Sequence, residues 1–406
     1  MKTRVAAIEF GTSKIVTVIA QSSSKNRHCE IVSCGKVEYA GYEQGDWVEW
    51  ENLPKAVCNS IIAAQGDANT KIQEIYIGVP CEFIHVKTTQ VSVPIKSESG
   101  RVSEEDIINA ENLAAELNHF DRSEDLVIHR SPAYFAVDGG KRTMEPIGIK
   151  GSTLAANISF ITVAADFVDD MRSIMGSAGI TICGFLSPSL GEQLYVTEPE
   201  DRDATCMFVD CGMYDTEVSV LMGDAMVYHA VLPNGGNDIT EALADELEIR
   251  YDEAEQLKRS VVITEDTNDL VSPQVCRDKN GRRVQFGAEL VWGIVREALD
   301  ELCEKIKLTE ADAGLLLYPR SKVYLTGGGI AMIRGGKEYL ERYLERKVLS
   351  MTVTPNKLGS PEYASVLGLI DLIFNSIEQR YDEQETLPMR VADTFKGLFS
   401  KNKTDD

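Results

Sequence analysis

Two turns in the sequence place an acidic residue two positions before a glycine, at the end of an apolar run. The segment VAAIEFGTSKIVTVIA contains Glu9 and Gly11, and MFVDCGMYDTEVSVL contains Asp210 and Gly212. A glycine in a tight turn tolerates positive φ and lets backbone amides face an anion, while a carboxylate at a strand end can hold hydrated Mg²⁺. The two turns therefore predict facing loops that clamp the phosphates of a nucleotide together with Mg²⁺.

Further donors and glycines extend this pattern. The first turn continues with the donors Thr12, Ser13 and Lys14, and the late segment VYLTGGGIAMIRGG places a glycine run between an apolar strand and a helix: Gly327, Gly328 and Gly329. Such a run allows close approach of a base or ribose. Each element alone has an ordinary explanation, because most glycine hairpins are simple turns and an isolated lysine is usually solvated. Their order, and the duplication of the hairpin, favour a nucleotide site.

Strands and helices alternate along the chain, which predicts an α/β architecture. Residues 5–10, 15–20 and 30–39 have the pattern of a three-stranded meander that holds the first turn. A second meander around Asp210 follows the acidic segment TEPEDRD, so the fold is predicted to be duplicated. Between the two meanders, Ser103 and Asp106 have the spacing of a helix start, and a separate inserted unit is expected there.

The composition excludes several classes of protein. The chain has 406 residues, of which 43% are hydrophobic, enough for more than one buried core. With 41 Lys and Arg against 64 Asp and Glu, the net charge of −23 argues against nucleic-acid binding. Nine cysteines without a C-x-x-C motif indicate reduced thiols in a cytoplasm rather than disulfides or a zinc site. No signal sequence or apolar run of membrane-spanning length is present, so membrane contact is expected to be peripheral.

The C-terminal sequence MRVADTFKGLFSKNKTDD combines helical apolar spacing with basic residues. Four apolar side chains recur at i, i+4, i+7 and i+8, on one face of a helix: Val391, Phe395, Leu398 and Phe399. Lys396 and its basic neighbours add positive charge. The segment predicts a membrane-surface anchor that is weak in a monomer and strong in a filament carrying many copies. The alternative is a small helix that docks on its own domain.

The acid-x-Gly-Thr-Ser-Lys hairpin, the second acid-x-Gly hairpin and the glycine run, in this order, resemble the actin and Hsp70 ATPase superfamily. Within it the chain resembles the FtsA family of bacterial cell-division proteins. The similarity extends over nearly the whole length and includes AGYEQGDWVEWENLPKAV, IYIGVPCEFIHV, HRSPAYFAVDGGKRTMEPIGIKGSTLAANISFITV, VLPNGGNDITEALADEL and YASVLGLI. The third of these segments resembles the part that encodes the 1C subdomain, which distinguishes FtsA from actin and MreB.

The resemblance implies an actin-like, duplicated ribonuclease H-like fold with two lobes, a central nucleotide cleft and an FtsA-type 1C insertion. The implied units are 1A (1–85 and 164–203), 1C (86–163), 2A (204–235 and 307–376), 2B (236–306) and a linker with an amphipathic helix (377–406). It also implies ATP with Mg²⁺, protofilaments, and membrane attachment on the cytoplasmic face at the division site. The FtsZ C-terminal peptide is expected at 2B, where Arg296 on a helix over residues 289–305 would meet this acidic partner.

The nucleotide-binding positions of the family carry over residue by residue. They are Glu9, Gly11, Thr12, Ser13 and Lys14 in the first phosphate loop; Asp210, Gly212 and Thr216 in the second; Gly236 and Asn237 at the next helix; Glu255 and Lys258 beside the ribose and adenine; and Gly327, Gly328 and Gly329 in the adenosine loop. In this assignment Glu9 and Asp210 hold Mg²⁺ through water. For Glu255 and Lys258, an exposed i, i+3 helix pair is the alternative.

Departures from the family pattern weaken the expected ATPase activity. The second family loop reads D-I-G-G-G-T-T-D, whereas this chain has DCGMYDTE. Asp215 there adds a like charge near phosphate, which costs roughly 1 kcal/mol in water and about 4 kcal/mol at an effective dielectric of 20. Glu9 replaces the aspartate of the first loop, and neither Glu192 nor Gln193 in SPSLGEQLYV can be assigned as a general base. Nucleotide binding with slow or absent hydrolysis is the resulting prediction.

Two other functional classes remain open from the sequence. One is a PilM-like scaffold of a pilus machine, which shares the fold and the 1C-type insertion and does not need a basic amphipathic end. The other is an enzyme of the superfamily such as a sugar kinase, which needs a catalytic aspartate at a substrate cleft, and the sequence contains no such constellation. The altered second loop also leaves open whether the chain is a main division protein or a divergent paralogue.

Overall fold

The computed structural model of the chain describes residues 2–23, 26–39, 41–43, 45–120, 125–203, 205–264, 274–314, 317–350 and 358–385. The first part is an antiparallel meander, a short hairpin, a helix and a further strand: β1 (Lys2–Phe10), β2 (Lys14–Ser23), β3 (Asn26–Glu38), β4 (Tyr42–Glu43), β5 (Asp46–Trp47), α1 (Leu53–Ala68) and β6 (Glu74–Gly78). Short 3₁₀ turns precede α1 at Trp50–Asn52 and follow β6 at Cys81–Phe83.

An inserted subdomain comes next and contains three antiparallel strands and one helix: β7 (Ile84–Pro94), α2 (Glu104–Asn118), β8 (Asp125–Val137) and β9 (Thr153–Ala164). The strand order is β7-β9-β8. As predicted, Ser103 caps α2, because its hydroxyl accepts the N–H of Asp106 while the Asp106 carboxylate accepts the N–H of Ser103 at 2.9 Å. The Ser159 hydroxyl donates to the carbonyl of Met226, so the subdomain also contacts the second half of the chain.

The chain then completes its first sheet and crosses over through α3 (Ala165–Ser177), β10 (Thr181–Leu186), α4 (Pro188–Val196) and α5 (Pro199–Asp203). The second half contains β11 (Cys206–Cys211), β12 (Thr216–Met222), β13 (Ala225–Leu232), α6 (Gly236–Glu246), α7 (Tyr251–Ser260), β14 (Gln274–Arg277), β15 (Arg283–Phe286), α8 (Ala288–Asp312), β16 (Lys322–Thr326), α9 (Gly336–Leu344) and β17 (Val348–Ser350). After a 3₁₀ turn at Pro361–Tyr363, the last described helix is α10 (Ala364–Glu385).

The two large sheets share one topology. The order β3-β2-β1-β6-β10 in the first sheet corresponds to β13-β12-β11-β16-β17 in the second. In both, the first strand is antiparallel to the second and parallel to the strand on its other side. Every residue of β12 is buried, as expected for a strand that is covered on both faces. The predicted duplication is therefore confirmed, and the two acid–glycine turns are equivalent hairpins, β1–β2 and β11–β12.

The last helix differs from the expected domain boundaries. Leu369 and Ile373 of α10 pack with Val5 and Val16 on the first sheet, although residues up to 376 were expected in the second lobe. The helix continues to Glu385, into the segment expected to be a linker, because residues 377–385 contain no proline or glycine and are rich in helix-forming residues. None of the described helices has the length and hydropathy needed to cross a bilayer.

The predicted membrane-surface residues lie outside the described part of the chain: Val391, Phe395, Lys396, Leu398 and Phe399. The amphipathic anchor therefore stays a prediction from the sequence.

Candidate functional site

A cavity of about 360 Å³ lies between the two equivalent hairpins. This volume falls in the range of about 300–1,000 Å³ that is usual for small-molecule sites. Most of the residues expected to bind nucleotide line it: Glu9, Gly11, Thr12, Ser13, Lys14, Asp210, Gly212, Gly236, Glu255, Lys258, Gly327, Gly328 and Gly329. Segments separated by more than three hundred residues in the chain therefore meet in one place.

The two hairpins have the same backbone geometry at their tips. The N–H of Gly11 donates to the carbonyl of Lys14 at 2.9 Å, and the N–H of Gly212 donates to the carbonyl of Asp215, also at 2.9 Å. Lys14 and Asp215 therefore occupy equivalent positions, one basic and one acidic. Neither glycine has positive φ, so the conformational freedom of glycine is not what these two turns require.

The second hairpin is bonded to two other segments of the site through its carbonyl groups. Cys211 accepts the N–H of Gly329 at 2.7 Å, Gly212 accepts that of Gly236 at 3.0 Å, and Met213 accepts that of Asn237 at 2.8 Å. The first amides of α6 and one amide of the glycine run are thus engaged by protein carbonyls.

The glycine run needs its lack of side chains. Gly327 has φ of +77°, and a Cβ atom there would lie 2.2 Å from the carbonyl oxygen of Cys211. A Cβ atom on Gly329 would lie 2.4 Å from the sulfur of Cys211. The run follows β16 as predicted, but α9 begins only at Gly336, so the three glycines form a turn against the second hairpin and do not themselves open a helix.

Glu9 and Asp210, the two carboxylates predicted to hold Mg²⁺, face the same cavity. Burial raises the pKa of Glu9, although Lys14 and a 3.0 Å hydrogen bond from the Ser365 hydroxyl oppose this shift. Burial and the neighbouring charges of Glu217, Asp215 and Glu9 hold the pKa of Asp210 well above its ordinary value. A hydrated cation would relieve this crowding of like charges, so the donor set fits Mg²⁺ held through water. Among the described residues no three His, Cys, Asp or Glu side chains are arranged to ligate a metal directly.

Asp215 points at the first hairpin. Its carboxylate accepts from the Thr12 hydroxyl at 3.4 Å and from the Cys81 thiol at 3.2 Å, while the N–H of Tyr214 donates to the Thr12 hydroxyl at 3.4 Å. Burial raises the pKa of Asp215 to about 7. The Asp215 carboxyl group is therefore partly protonated near neutral pH. This reduces the electrostatic repulsion expected between Asp215 and a bound phosphate.

The basic side chains of the cavity wall are paired with carboxylates of the chain. Lys14 forms an ion pair with Glu362 and lies 4.5 Å from the ring centroid of Tyr363. Lys258 donates to the carbonyl of Gly236 at 2.8 Å and pairs with Glu255 at 2.7 Å. The Lys258 side chain is only 8% exposed and that of Glu255 22%. The pair is therefore not a solvated helix pair, and it fixes the start of α6.

Two residues expected to touch nucleotide form hydrogen bonds within the protein. The Thr216 hydroxyl donates to the carbonyl of Asn234 at 2.7 Å and is fully buried, because β12 turns its side chain inward at that position. The Asn237 side chain accepts from the Tyr251 hydroxyl at 2.5 Å. Neither residue belongs to the cavity wall. Thr216 is the first residue of β12 and Asn237 the second residue of α6, and their hydrogen bonds stabilise the starts of these elements.

Several cavity residues carry no recognisable pattern in the sequence: Tyr42, Cys81, Ser189, Met332, Glu362 and Ser365. For Glu362 and Ser365 the sequence SPEYAS indicates the start of a helix, but it does not indicate that these side chains line a cavity. Glu192 and Gln193, which were considered for water activation, stay outside the cavity wall. The Gln193 amide donates to the Ser219 hydroxyl at 2.7 Å, so this side chain joins α4 to β12.

A second depression, of about 740 Å³, lies between α8 and α9 and contains Arg296. Its wall contains two arginines, one glutamate and three aromatic residues, and consists of Thr264, Glu289, Trp292, Gly293, Arg296, Tyr339, Arg342 and Tyr343. The ring of Tyr339 packs edge-on against Trp292 with a centroid distance of 6.1 Å. The Tyr339 and Tyr343 hydroxyls donate to Asp300 and Glu304 at the edge of this groove. Arg296, which was expected to meet an acidic peptide, therefore lies in a groove with arginines and carboxylates.

Comparison with known proteins identifies the family. The family model described as "Cell division protein FtsA" matches residues 207–368, and that of the "SHS2 domain inserted in FTSA" matches residues 82–162, so that together they cover more than half of the chain. The cell division protein FtsA of Borreliella burgdorferi is 24% identical, over 98% of this chain and 98% of its own length.

Solved structures share the actin-like fold. A structure of the PilM–PilN type IV pilus biogenesis complex aligns with a TM-score of 0.61 and 18% identity, over 91% of this chain and 98% of the other. MreB5 of Spiroplasma citri bound to ADP aligns with a TM-score of 0.52 and 10% identity, over 93% and 98%. The likeness to PilM is one of fold, whereas both matched family models are those of FtsA. This chain belongs to the FtsA family of bacterial cell-division proteins.

Proposed function

We propose that this protein binds ATP with Mg²⁺ between its two lobes, assembles into protofilaments, and tethers FtsZ to the cytoplasmic face of the membrane at the division septum. The observation that carries the nucleotide part is the meeting of two equivalent hairpins and a glycine run around one cavity. The MreB5 structure of the same fold is described as bound to ADP. The relatives named as cell-division proteins support the cellular role.

In this proposal the two halves of the site contribute different chemistry. Lys14 and the turn around Gly11 contact phosphate from the first lobe, and Glu9 with Asp210 hold hydrated Mg²⁺ between the lobes. The glycine run and the pair of Glu255 and Lys258 flank the nucleoside. Mg²⁺ held there through water would supply positive charge that offsets the surrounding carboxylates and the phosphates. The proposal assigns no general base for water, and it includes slow or absent hydrolysis as the sequence predicts.

Calorimetric titration of the full chain with Mg-ATP and Mg-ADP tests the nucleotide part, after removal of carried-over nucleotide. We expect micromolar or tighter binding that is lost in Gly11→Arg, because the new side chain fills the cavity. Gly66→Arg is the matched control, since Gly66 lies on the exposed side of α1 with no atom within 4 Å of an added Cβ. Absence of binding at millimolar nucleotide in the wild type would mean a nucleotide-independent scaffold.

The groove between α8 and α9 supports the tethering part. Arg296 and Arg342 supply positive charge beside the aromatic residues Trp292 and Tyr339, a combination suited to an acidic peptide with apolar anchors. Fluorescence anisotropy with a labelled FtsZ C-terminal peptide should show at least tenfold weaker binding in Arg296→Glu, because one charge is reversed at the contact. Arg283→Glu on exposed β15 should bind as the wild type does. Unchanged affinity in Arg296→Glu would refute this assignment.

Liposome flotation tests the membrane part and separates the proposal from a PilM-like scaffold. The full chain should float with anionic liposomes, and a chain that ends after Pro388 should not, because the apolar and basic side chains of the tail would be missing. Equal and poor flotation of both chains would favour the scaffold alternative. Electron microscopy of the full chain on lipid with Mg-ATP would show whether it forms filaments.

A further inference from the structure

Lys14 is already engaged by an anionic group of the protein. Its ammonium group pairs with the Glu362 carboxylate, lies 3.4 Å from the Glu362 carbonyl oxygen, and is 4.5 Å from the centroid of the Tyr363 ring. The lysine side chain is 13% exposed and that of Glu362 30%. Lys14 therefore lines the cavity, but its ammonium group is already occupied by Glu362.

Glu362 lies at the junction of the first hairpin and the glycine run. It belongs to the 3₁₀ turn before α10 and lines the same cavity as Gly328. Its Cβ atom is 3.8 Å from the position that a Cβ atom on Gly328 would take. A carboxylate there offers Lys14 two anionic oxygens, the same type of acceptor that a phosphate group offers.

We propose that Glu362 acts as an internal substitute for a nucleotide phosphate: its carboxylate holds Lys14 when the cleft has no nucleotide, and a phosphate group must displace it to bind. This inference rests on the proposed nucleotide function and adds how that site is regulated. Glu362 sets the threshold concentration of nucleotide, because each binding event must break the Lys14–Glu362 pair.

The remaining cavity cations support this assignment to Lys14. Lys258 is fixed by Glu255 and by the Gly236 carbonyl, and it anchors α6. Arg259 pairs with the other oxygen of Glu255 at 2.7 Å and its side chain is 71% exposed. Among the described cavity cations, Lys14 thus has a carboxylate partner from a different segment of the chain: Lys14 begins β2, and Glu362 lies in the 3₁₀ turn before α10. Breaking this pair does not involve α6 or α7.

A double-mutant cycle with the full chain tests the inference. Mg-ATP is titrated calorimetrically into the wild type, Glu362→Gln, Lys14→Met and the double variant. Glu362→Gln keeps the shape of the side chain and should bind Mg-ATP about tenfold more tightly. The gain should vanish in the Lys14→Met background. Glu338→Gln is the matched control, because it removes a carboxylate that pairs with Lys337 at 3.1 Å on the exposed face of α9.

The outcomes separate this inference from the proposed function. Wild-type binding with no gain in Glu362→Gln would overturn the inference and leave the nucleotide function standing. No binding in any variant would overturn both. Binding in Glu362→Gln alone would support the inference, since the substitute would then exclude nucleotide completely.

Thermal unfolding without nucleotide provides an independent readout. The loss of melting temperature in Lys14→Met should be smaller in the Glu362→Gln background than in the wild type, because the partner is already gone. Equal losses in both backgrounds would show that the pair contributes nothing in solution and would overturn the inference.

Discussion

The two hairpins of the nucleotide cleft have the same backbone and opposite chemistry. Gly11 and Gly212 make the same 2.9 Å turn hydrogen bond, yet Lys14 in one turn corresponds to Asp215 in the other. The first hairpin contacts other segments through its side chains: Lys14 pairs with Glu362, and Glu9 accepts from the Ser365 hydroxyl. The second is held by amides of Gly236, Asn237 and Gly329, so it organises the rest of the site.

This difference explains how the second loop tolerates the replacement of two family glycines. Its carbonyl groups, which do not depend on side-chain identity, form the contacts with α6 and the glycine run. Met213 and Tyr214 therefore add side chains to the turn without altering these backbone hydrogen bonds. The Tyr214 residue is 39% exposed, so its side chain is accommodated at the surface. The second loop therefore still holds α6 and the glycine run in place, although it lacks two glycines of the family's phosphate-binding loop.

The largest expected effect comes from the glycine run that packs on the second hairpin. Gly327→Ala should lower the free energy of unfolding by about 3–5 kcal/mol, because it combines a left-handed backbone with a clash against Cys211. Urea denaturation measures the change. Gly328→Ala is the neighbouring control, since its Cβ atom would make ordinary contacts at 3.6 Å and beyond. Similar costs for both would contradict the role given to Gly327.

The next effect separates the two cavity lysines. Lys258→Met should cost about 2–3 kcal/mol of stability, because Glu255 is left without its buried partner and the Gly236 carbonyl loses a donor. Lys14→Met should cost less than about 1 kcal/mol, since Glu362 is 30% exposed and can be solvated. The urea midpoints of the two variants, compared at constant m value, measure which substitution costs more stability. The reverse order would mean that the first hairpin is the structural one.

Asp215 should make the second hairpin sensitive to pH. Its pKa is raised by burial to about 7 from an ordinary value near 4, so the folded state keeps a proton that the unfolded state loses. The contribution of Asp215 to stability is therefore complete at low pH and declines as pH rises from about 4 to about 7. Asp215→Asn should be more stable than the wild type at pH 8 by about 1–3 kcal/mol and equal to it at pH 4.

Unfolding midpoints in urea between pH 4 and pH 8 measure this difference. The informative quantity is the difference between variant and wild type, which reports the loss of the Asp215 carboxyl group together with its effect on the pKa of Asp210. Asp245→Asn, whose side chain is 84% exposed, should give a difference near zero at every pH. A flat difference for Asp215→Asn would show that its carboxyl group titrates normally.

The smallest effect concerns the contact between the two hairpin tips. Thr12→Val removes the hydroxyl that donates to Asp215 and accepts from the Tyr214 amide, and should cost about 1 kcal/mol. In the Asp215→Asn background the cost should change, because the two side chains are coupled. Ser13→Ala, in the same turn, should have almost no effect. Strict additivity of Thr12→Val and Asp215→Asn would show that the tips do not interact in solution.

The sequence by itself determined the architecture and most of the cavity wall. The repeated meander predicted the duplicated sheets, and the acid–glycine turns with the late glycine run predicted where the lobes meet. Ser103 with Asp106 predicted the start of α2 correctly. These features were accessible because periodicity, turn residues and capping depend on neighbours within a few positions.

Tertiary structure alone decided the partners of those residues. No local pattern could pair Lys14 with Glu362, direct Asp215 toward Thr12 and Cys81, or engage the first amides of α6 with the second hairpin. It also assigned Thr216 to the interior and α10 to the first sheet. Hydrogen bonds, ion pairs and pKa shifts depend on distances between segments that are remote in the chain, and packing of the whole fold sets those distances.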